Sequence, residues 1–539
     1  MKRKFYLSII LVAAFTLMSC NDFLDQNPDD RATVDTESKV ASLLVSAYPD
    51  KGYQLLAELS SDNVADYGIT KGYTIFGEDV YTWAEDCASN NESPKSLWDA
   101  CYIAIASANH ALAAIEELGG TETPQLQTSK GEALLCRAYA HFILVNMFCL
   151  PYNPNRPNDL GIPYMDHPET ELNPKYERGT VLETYKRIGE DIIEGIPLID
   201  DTRLAVPKYH FNYKAACCFA SRFFLFTQDW DNVIKYATMA IGASPKSLLR
   251  DNSALAALPT NPMNTVSLSY CSADAKCNFL IQTGYSTMGT WFGSFTTAPR
   301  FTHGLLQATF ETLNVTGPWS KDAVYWLKTW SFASGKQLLP RIPYIFEVTD
   351  PVGGKGYTRA LFACLTAEEA LLNRAEAYVM KMKVDGSALD KALADMNLYG
   401  ESIIKSGYVQ MTEETINDWA NGFGYSEPFI GKVATKDNTL SPKNKLYPYY
   451  EIEAGTQENM IHALLFMRRR EFIHCGMRWF DTRRMGITIH RLLVDEDAVT
   501  ITQITDKISD EDGTVDPRRS LQLPADVIAA GLTPNPRSK

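Results

Sequence analysis

From Leu97 the apolar or small residues Cys101, Ile105, Ala108, Leu112 and Ile115 recur at spacings of three and four, the mark of one buried helical face. The pattern predicts a partner helix over Lys130–Asn146, stopped by Pro151. A second pair is expected at about 180–200 and 212–227. The turn Gln228-Asp229-Trp230-Asp231 then caps a helix running to Ile241. A further pair occupies about 366–382 and 387–405, divided by Asp385-Gly386-Ser387.

Two of these helices share the pattern LLxRAxA, at Leu134–Ala140 and Leu371–Ala377, and Phe219–Phe226 around Arg222 is a looser copy. Small residues at regular helical positions, followed by a turn and a second helix, resemble tetratricopeptide-type hairpins. Such units cannot bury their faces alone and stack into a curved scaffold. The expected fold is mainly α with little β. Helical scaffold covers about 37–245 and 360–490, and a long loop-rich excursion covers about 245–360.

In that excursion helical periodicity fades and aromatics crowd: Trp291, Phe292, Phe295, Phe301, Trp319, Tyr325, Trp326 and Trp330. An earlier segment has a similar texture, with Tyr67, Tyr73, Phe76, Tyr81 and Trp83 among glycines and acids. Irregular segments on a rigid scaffold are where function concentrates. The Gly353-Gly354-Lys355-Gly356 run lacks the strand and helix context of a phosphate cradle and reads as a surface turn.

The N-terminus adds an address. Lys2, Arg3 and Lys4 precede an apolar stretch over Phe5–Met18, shorter than the roughly 20 residues a spanning helix needs. Leu17-Met18-Ser19-Cys20 resembles a bacterial lipobox, in which Cys20 is acylated and becomes the new N-terminus. Residues 1–19 are then a lipoprotein signal peptide, 20–36 an acidic tether and 37–539 a single body. The chain carries 65 acidic against 51 basic residues, a net charge of −14, so it lacks the basic footprint of a nucleic-acid binder. The cysteines show no CxxC spacing. A loop disulfide between Cys271 and Cys277, which bracket SADAK, is compatible with an oxidising compartment.

Near the C-terminus, Arg468-Arg469-Arg470-Glu471-Phe472 and Arg478-Trp479-Phe480-Asp481-Thr482-Arg483-Arg484 form an arginine-rich motif. Guanidinium forks pair well with carboxylates, so Arg470, Arg478 and Arg483 with Glu471 and Asp481 read as an internal network locking the C-terminal helix rather than as a phosphate site. The motif resembles the hallmark of the SusD/RagB family of outer-membrane nutrient-uptake lipoproteins. Other family-like pieces follow in order: Cys20–Asp25, Ser61-Asp62-Asn63, Trp98 with Tyr102 and Asn109, the LLxRAxA helices and Leu523-Pro524. Met467 and Cys475 depart from the acidic residues expected at their positions.

The resemblance implies a lipid-anchored binder on the outer membrane. It captures an oligosaccharide, or in some branches a peptide, and delivers it to a TonB-dependent barrel. Sugar recognition needs flat apolar faces plus amide and carboxylate partners. Trp83 with Tyr81 and Asn90, and Trp291 with Phe292 and Trp319, are the candidates. Two other readings stay open. A helical glycoside hydrolase needs one carboxylate pair, which 65 acids allow. A protein-docking scaffold explains the repeats but not the aromatics. No HExxH, GxSxG or P-loop occurs and the eight histidines show no ligand spacing, so no catalytic residue, cofactor or metal is expected.

Overall fold

The computed structural model describes residues 33–538, apart from 69–70, 171–173, 296–298, 333–334 and 434–439. The expected signal peptide, Cys20 and most of the tether lie outside the described residues.

Many of the helices begin where a short polar side chain accepts a backbone N–H. The first in the chain are α1 Glu37–Leu44, α2 Gln54–Ser60, α3 Ile75–Tyr81, α4 Pro94–Glu117, α5 Pro124–Phe148 and α6 Val181–Gly195, and all of these but α2 start in this way. Ser93 and Thr123 cap α4 and α5, each with proline in the first turn, and Thr180 with Glu183 forms a capping box on α6. Next come α7 Tyr213–Phe226 and α8 Trp230–Ile241, capped by Asn212 and Asp229. After the excursion, which contains α9 Leu305–Phe310, stand α10 Ala367–Met380, capped by Thr366, and α11 Ala388–Ile403. The arginine motif forms α12 Thr456–Glu471 and α13 Met477–Arg484, and α14 Ala525–Ala529 lies near the end. The start of α5 lies six residues ahead of the expected Lys130, because the cap Thr123 precedes its apolar periodicity.

The helices pack as α4 on α5, α5 on α6, α7 on α8 and α10 on α11. In each LLxRAxA copy the arginine turns inward onto a carboxylate of a neighbouring helix or its first turn. Arg137 on α5 grips Asp191 on α6 (2.8 and 2.7 Å), Arg374 on α10 grips Asp395 on α11 (2.8 and 2.8 Å), and Arg222 on α7 grips Glu369 on α10 (2.5 and 2.6 Å). The repeated motif is thus a repeated ion-pair clasp. Apolar faces bury the surface, and the fork sets how neighbouring helices align.

The strands are β1 Ala65–Asp66, β2 Asn278–Tyr285, β3 Phe301–Thr302, β4 Ile345–Asp350, β5 Lys355–Thr366, β6 Ile489–Val494 and β7 Ile501–Ile508. One sheet runs β7-β6-β1-β3, with β1 parallel to β6 and antiparallel to β3, so the first aromatic segment, the excursion and the C-terminal region meet there. A second sheet, β2-β5-β4, gives the excursion more regular structure than its fading helical periodicity suggests. The glycine run is the turn between β4 and β5, and Gly354 takes a left-handed φ of +63° there. Cys271 and Cys277, whose pairing the sequence left open, do not pair. Both thiols are free and buried, Cys271 against the carbonyls of Arg341 and Leu361 and Cys277 beside Asn278.

The arginine motif is an internal network, but its partners lie far away in sequence. Asp62 accepts two bonds from Arg478 (2.7 and 2.6 Å), and Arg469 reaches Asn63 (2.8 Å) and Glu311 (3.2 Å). Asp481 takes Arg468 and Arg484, and Glu376 on α10 takes Arg484 as well. Arg470 donates to the Leu313 carbonyl and lies 3.4 Å from the Tyr325 ring centroid, while Glu471 faces Arg341. Burial alone would raise the Asp62 carboxyl, but Arg469 and Arg478 hold it down at about 2. Met467 and Cys475 pack in or against the apolar core. Among the described residues no helix is long and apolar enough to cross a membrane.

Candidate functional site

Pairing of Asp66 with Phe301 brings the two aromatic segments of the sequence together, yet the candidate rings among them face inward. Tyr81 is 2% exposed, stacks on Phe301 at 4.5 Å and bonds the Leu492 backbone. Trp83 is 4% exposed. Its indole N–H donates to the Ser60 carbonyl at 3.1 Å, and the guanidinium of Arg491 lies 3.7 Å from its ring centroid. It touches a surface cavity of about 310 Å³. Trp291, at 7%, packs against Gly77, where an added Cβ would come within 2.6 Å of the ring. Phe292 is fully buried on His474, and Trp319, at 2%, lies between Tyr325 and Phe466. Asn90 is exposed, but its side chain accepts the Glu92 N–H and its carbonyl the hydroxyls of Ser93 and Ser96, shaping the turn into α4.

Tyr81, Trp83, Trp291, Phe292 and Trp319 are therefore packing residues in this fold, contrary to their reading as stacking platforms. Large rings are the main apolar material of these glycine-rich segments, and burying them is what holds such segments onto the scaffold.

Accessible aromatic faces occur instead in a cleft of about 490 Å³. Its walls are the loop after α5 (151–156), the loop before α12 (446–452) and the loop after β7 (510–515). Pro151 prevents α5 from continuing and turns Tyr152 outward to a half-buried position. The second loop rests on the end of α13, where the Tyr447 N–H donates to the Met485 carbonyl at 2.8 Å. Gly486 permits that approach, since it sits at φ +63° and a Cβ there would lie 2.5 Å from the Tyr447 oxygen.

Four half-buried tyrosines result: Tyr152, Tyr447, Tyr449 and Tyr450. Tyr152 and Tyr449 are 6.3 Å apart and inclined at 61°, and Tyr449 and Tyr450 are 5.4 Å apart and nearly perpendicular. Burial pushes the phenols of Tyr152, Tyr449 and Tyr450 up, so they stay neutral and can both donate and accept. Asn153, Arg156, Glu451, Asp510 and Thr514 are among the polar residues of the lining. Flat apolar faces ringed by amide, guanidinium and carboxylate groups suit a ring-shaped ligand rich in hydroxyls. Of the acids, Asp510 is held by Arg519 at 2.7 Å, while Glu458 is held at about 2, first by its hydrogen bond to His462. Glu458 is thus the opposite of the raised carboxyl that a glycosidase needs in its general acid. Among the described residues no group of three or more His, Cys, Asp or Glu could hold a metal.

The cleft tyrosines were missed because attention to aromatic density favoured the excursion. The available signal was local: Tyr447-Pro448-Tyr449-Tyr450 and Pro151-Tyr152 place rings beside prolines, outside any periodic pattern.

Residues 22–225 match a family model described as SusD-like, starch-binding associating with outer membrane. The fold is shared with solved structures along almost the whole chain. A SusD superfamily protein from Bacteroides thetaiotaomicron VPI-5482 is 16% identical with a TM-score of 0.57, covering 92% of this chain and 98% of its own. A SusD superfamily protein from Bacteroides vulgatus ATCC 8482 is 17% identical with a TM-score of 0.58, covering 93% and 98%. A SusD-like carbohydrate binding protein from the same organism is 14% identical with a TM-score of 0.50, covering 92% and 96%. No curated protein matches the sequence. The N-terminal part of the chain is thus similar to the SusD-like family and the whole chain shares the fold of solved SusD superfamily structures, in line with the resemblance that the arginine motif and its companions carry.

Proposed function

We propose that this SusD-like chain is a cell-surface binding protein that captures a glycan in the tyrosine-walled cleft and delivers it to a TonB-dependent outer-membrane barrel. The observation that carries the reading is the cleft itself, with four half-buried tyrosines around about 490 Å³ and amide, guanidinium and carboxylate groups among them. The matched family model, described as starch-binding and associated with the outer membrane, supports a glycan over a peptide. Binding without catalysis is favoured because Asp510 and Glu458 are committed to protein partners. The test is titration of the purified protein with a panel of oligosaccharides, followed by product analysis. At least one glycan binds with no new reducing ends after prolonged incubation. Released product, or no binding across the panel, overturns the reading.

The location and partner follow from Cys20. We take residues 1–19 as a lipoprotein signal, Cys20 as the acylated residue and the acidic stretch to residue 36 as a tether for one body spanning 37–539. A lipid-anchored binder leaves its cargo outside the membrane, so import needs a separate pore. The mature wild-type protein, purified from native membranes in mild detergent, should recover a barrel in near-equal amount. The Cys20→Ala variant should appear in the soluble fraction. A membrane-retained variant argues against the anchor, and repeated recovery of the binder alone argues against the barrel.

A further inference from the structure

The cleft is lined by three arginines and four carboxylates, and these do not pair off with one another. Asp510 is spent on Arg519, and Glu458 faces Tyr425 (2.6 Å) and His462 (3.4 Å). Glu511 lies 3.6 Å from Lys445 at the surface, and Arg484 is neutralised by Glu376 and Asp481. Arg483 remains. It is 3% exposed, has no carboxylate partner among the described residues and donates to the carbonyls of Asn146 and Cys149 at the end of α5. The negative end of that helix offsets part of its charge, yet its Nε has no hydrogen-bond partner.

Arg156, on the facing loop, is more accessible. Its Nη2 donates to the Pro151 carbonyl at 2.9 Å, and its Nε lies 2.9 Å from Asp159, but neither Nε nor the Asp159 oxygen makes a hydrogen bond of proper geometry. Its Nη1 takes no acceptor among the described residues. Arg156 thus presents an incompletely used guanidinium fork to the cleft, with the uncompensated Arg483 lining the same space. Asp159 offsets part of the Arg156 charge, and among the lining carboxylates Glu451, which no described residue pairs, is exposed at the mouth, where water and salt screen it far more than they screen the two arginines.

We infer that the cleft selects a glycan bearing an anionic substituent, a carboxylate or a sulfate ester, and that Arg156 receives it. The inference rests on the glycan-binding reading of the same cleft. An anion there completes the fork of Arg156 and supplies the counter-charge that Arg483 lacks, while the tyrosines hold the sugar rings. Burial also pushes both guanidiniums below their ordinary range, as expected where compensation is incomplete.

The test is titration of the full mature protein with oligosaccharides of matched length: an oligogalacturonide, a sulfated chondroitin fragment, a maltooligosaccharide and a chitosan oligomer. The carboxylated or the sulfated probe should bind more tightly than the neutral one, and that difference should shrink as salt rises. Whichever of the two binds better identifies the substituent. Arg156→Gln should weaken the anionic probe about tenfold or more, the scale of a charged hydrogen bond, and weaken the neutral probe by clearly less. Arg156→Lys, which keeps charge but not the fork, should recover part of the loss. Equal or tighter binding of the neutral or the cationic probe overturns the selection for anions but leaves glycan capture standing. Failure of all four probes to bind overturns both. If Arg156→Gln weakens every bound probe equally, Arg156 shapes the cleft and does not read charge.

Discussion

Replacing Asp62 with alanine should destabilise the protein by about 3–5 kcal/mol, the cost of removing one partner from a buried ion pair. Asp62 takes both arms of Arg478 and lies 3.6 Å from Arg469, so its loss leaves the Arg478 guanidinium inside the fold without a carboxylate. Chemical denaturation would show the loss as a fall in midpoint, and Asp62→Asn should reproduce most of it because the charge is what matters. In the Asp62→Ala, Arg478→Met double variant no charge is stranded, and stability should return by several tenths of the loss or more. Acid supplies an independent check. The folded carboxyl lies at about 2, below an ordinary aspartate near ~3.9, so its contribution is complete above that value and disappears as pH falls toward 2. The wild type should lose this stability in that window, and the variant should not. An Asp62→Ala midpoint equal to wild type would show that the network contributes little.

The second large effect concerns the cleft. Truncating Tyr152 and Tyr449 together to alanine should weaken glycan binding by about a hundredfold or more, taking about 1–3 kcal/mol per ring by analogy with base–aromatic stacking. Both rings are half-buried, so the helical circular dichroism should remain. Trp83→Ala should behave in the opposite way. Its ring is buried between Arg491 and the Ser60 carbonyl, so its loss should cost about 3–5 kcal/mol of stability, the range for a core aromatic, with affinity at the cleft unchanged. Calorimetric titration and denaturation of the two variants separate these outcomes. Unchanged affinity in the tyrosine double variant would place the binding site elsewhere.

The helical pairs were legible because their determinants are local. Apolar spacing marks the buried face, and caps such as Asp229 ahead of Trp230–Ile241 or Thr366 ahead of Ala367–Met380 mark the starts within a few residues. The character of the arginine motif was legible too, because guanidinium groups crowded among Trp479, Phe480 and Phe472 need internal acceptors. Their identities were not legible. Arg478 meets Asp62 across more than four hundred residues, and no helical spacing encodes a pair made only when β1 joins β6.

Ring exposure was the other matter that tertiary structure decided. Trp83 and Tyr449 are both aromatics in irregular segments, and apart from the proline beside Tyr449 nothing adjacent to either distinguishes core from surface. Trp83 is drawn inward because Arg491 and the end of α2 give its ring and its N–H partners. Tyr449 stays at the surface because three loops that are remote in sequence stop short of closing over it. By itself the sequence determined the helical scaffold, the repeated LLxRAxA pattern and the family resemblance, each written in short-range periodicity or in a contiguous motif. The long-range ion pairs, the free thiols of Cys271 and Cys277 and the position of the cleft were set only when distant segments packed, because burial is a property of the assembled surface rather than of any stretch of chain.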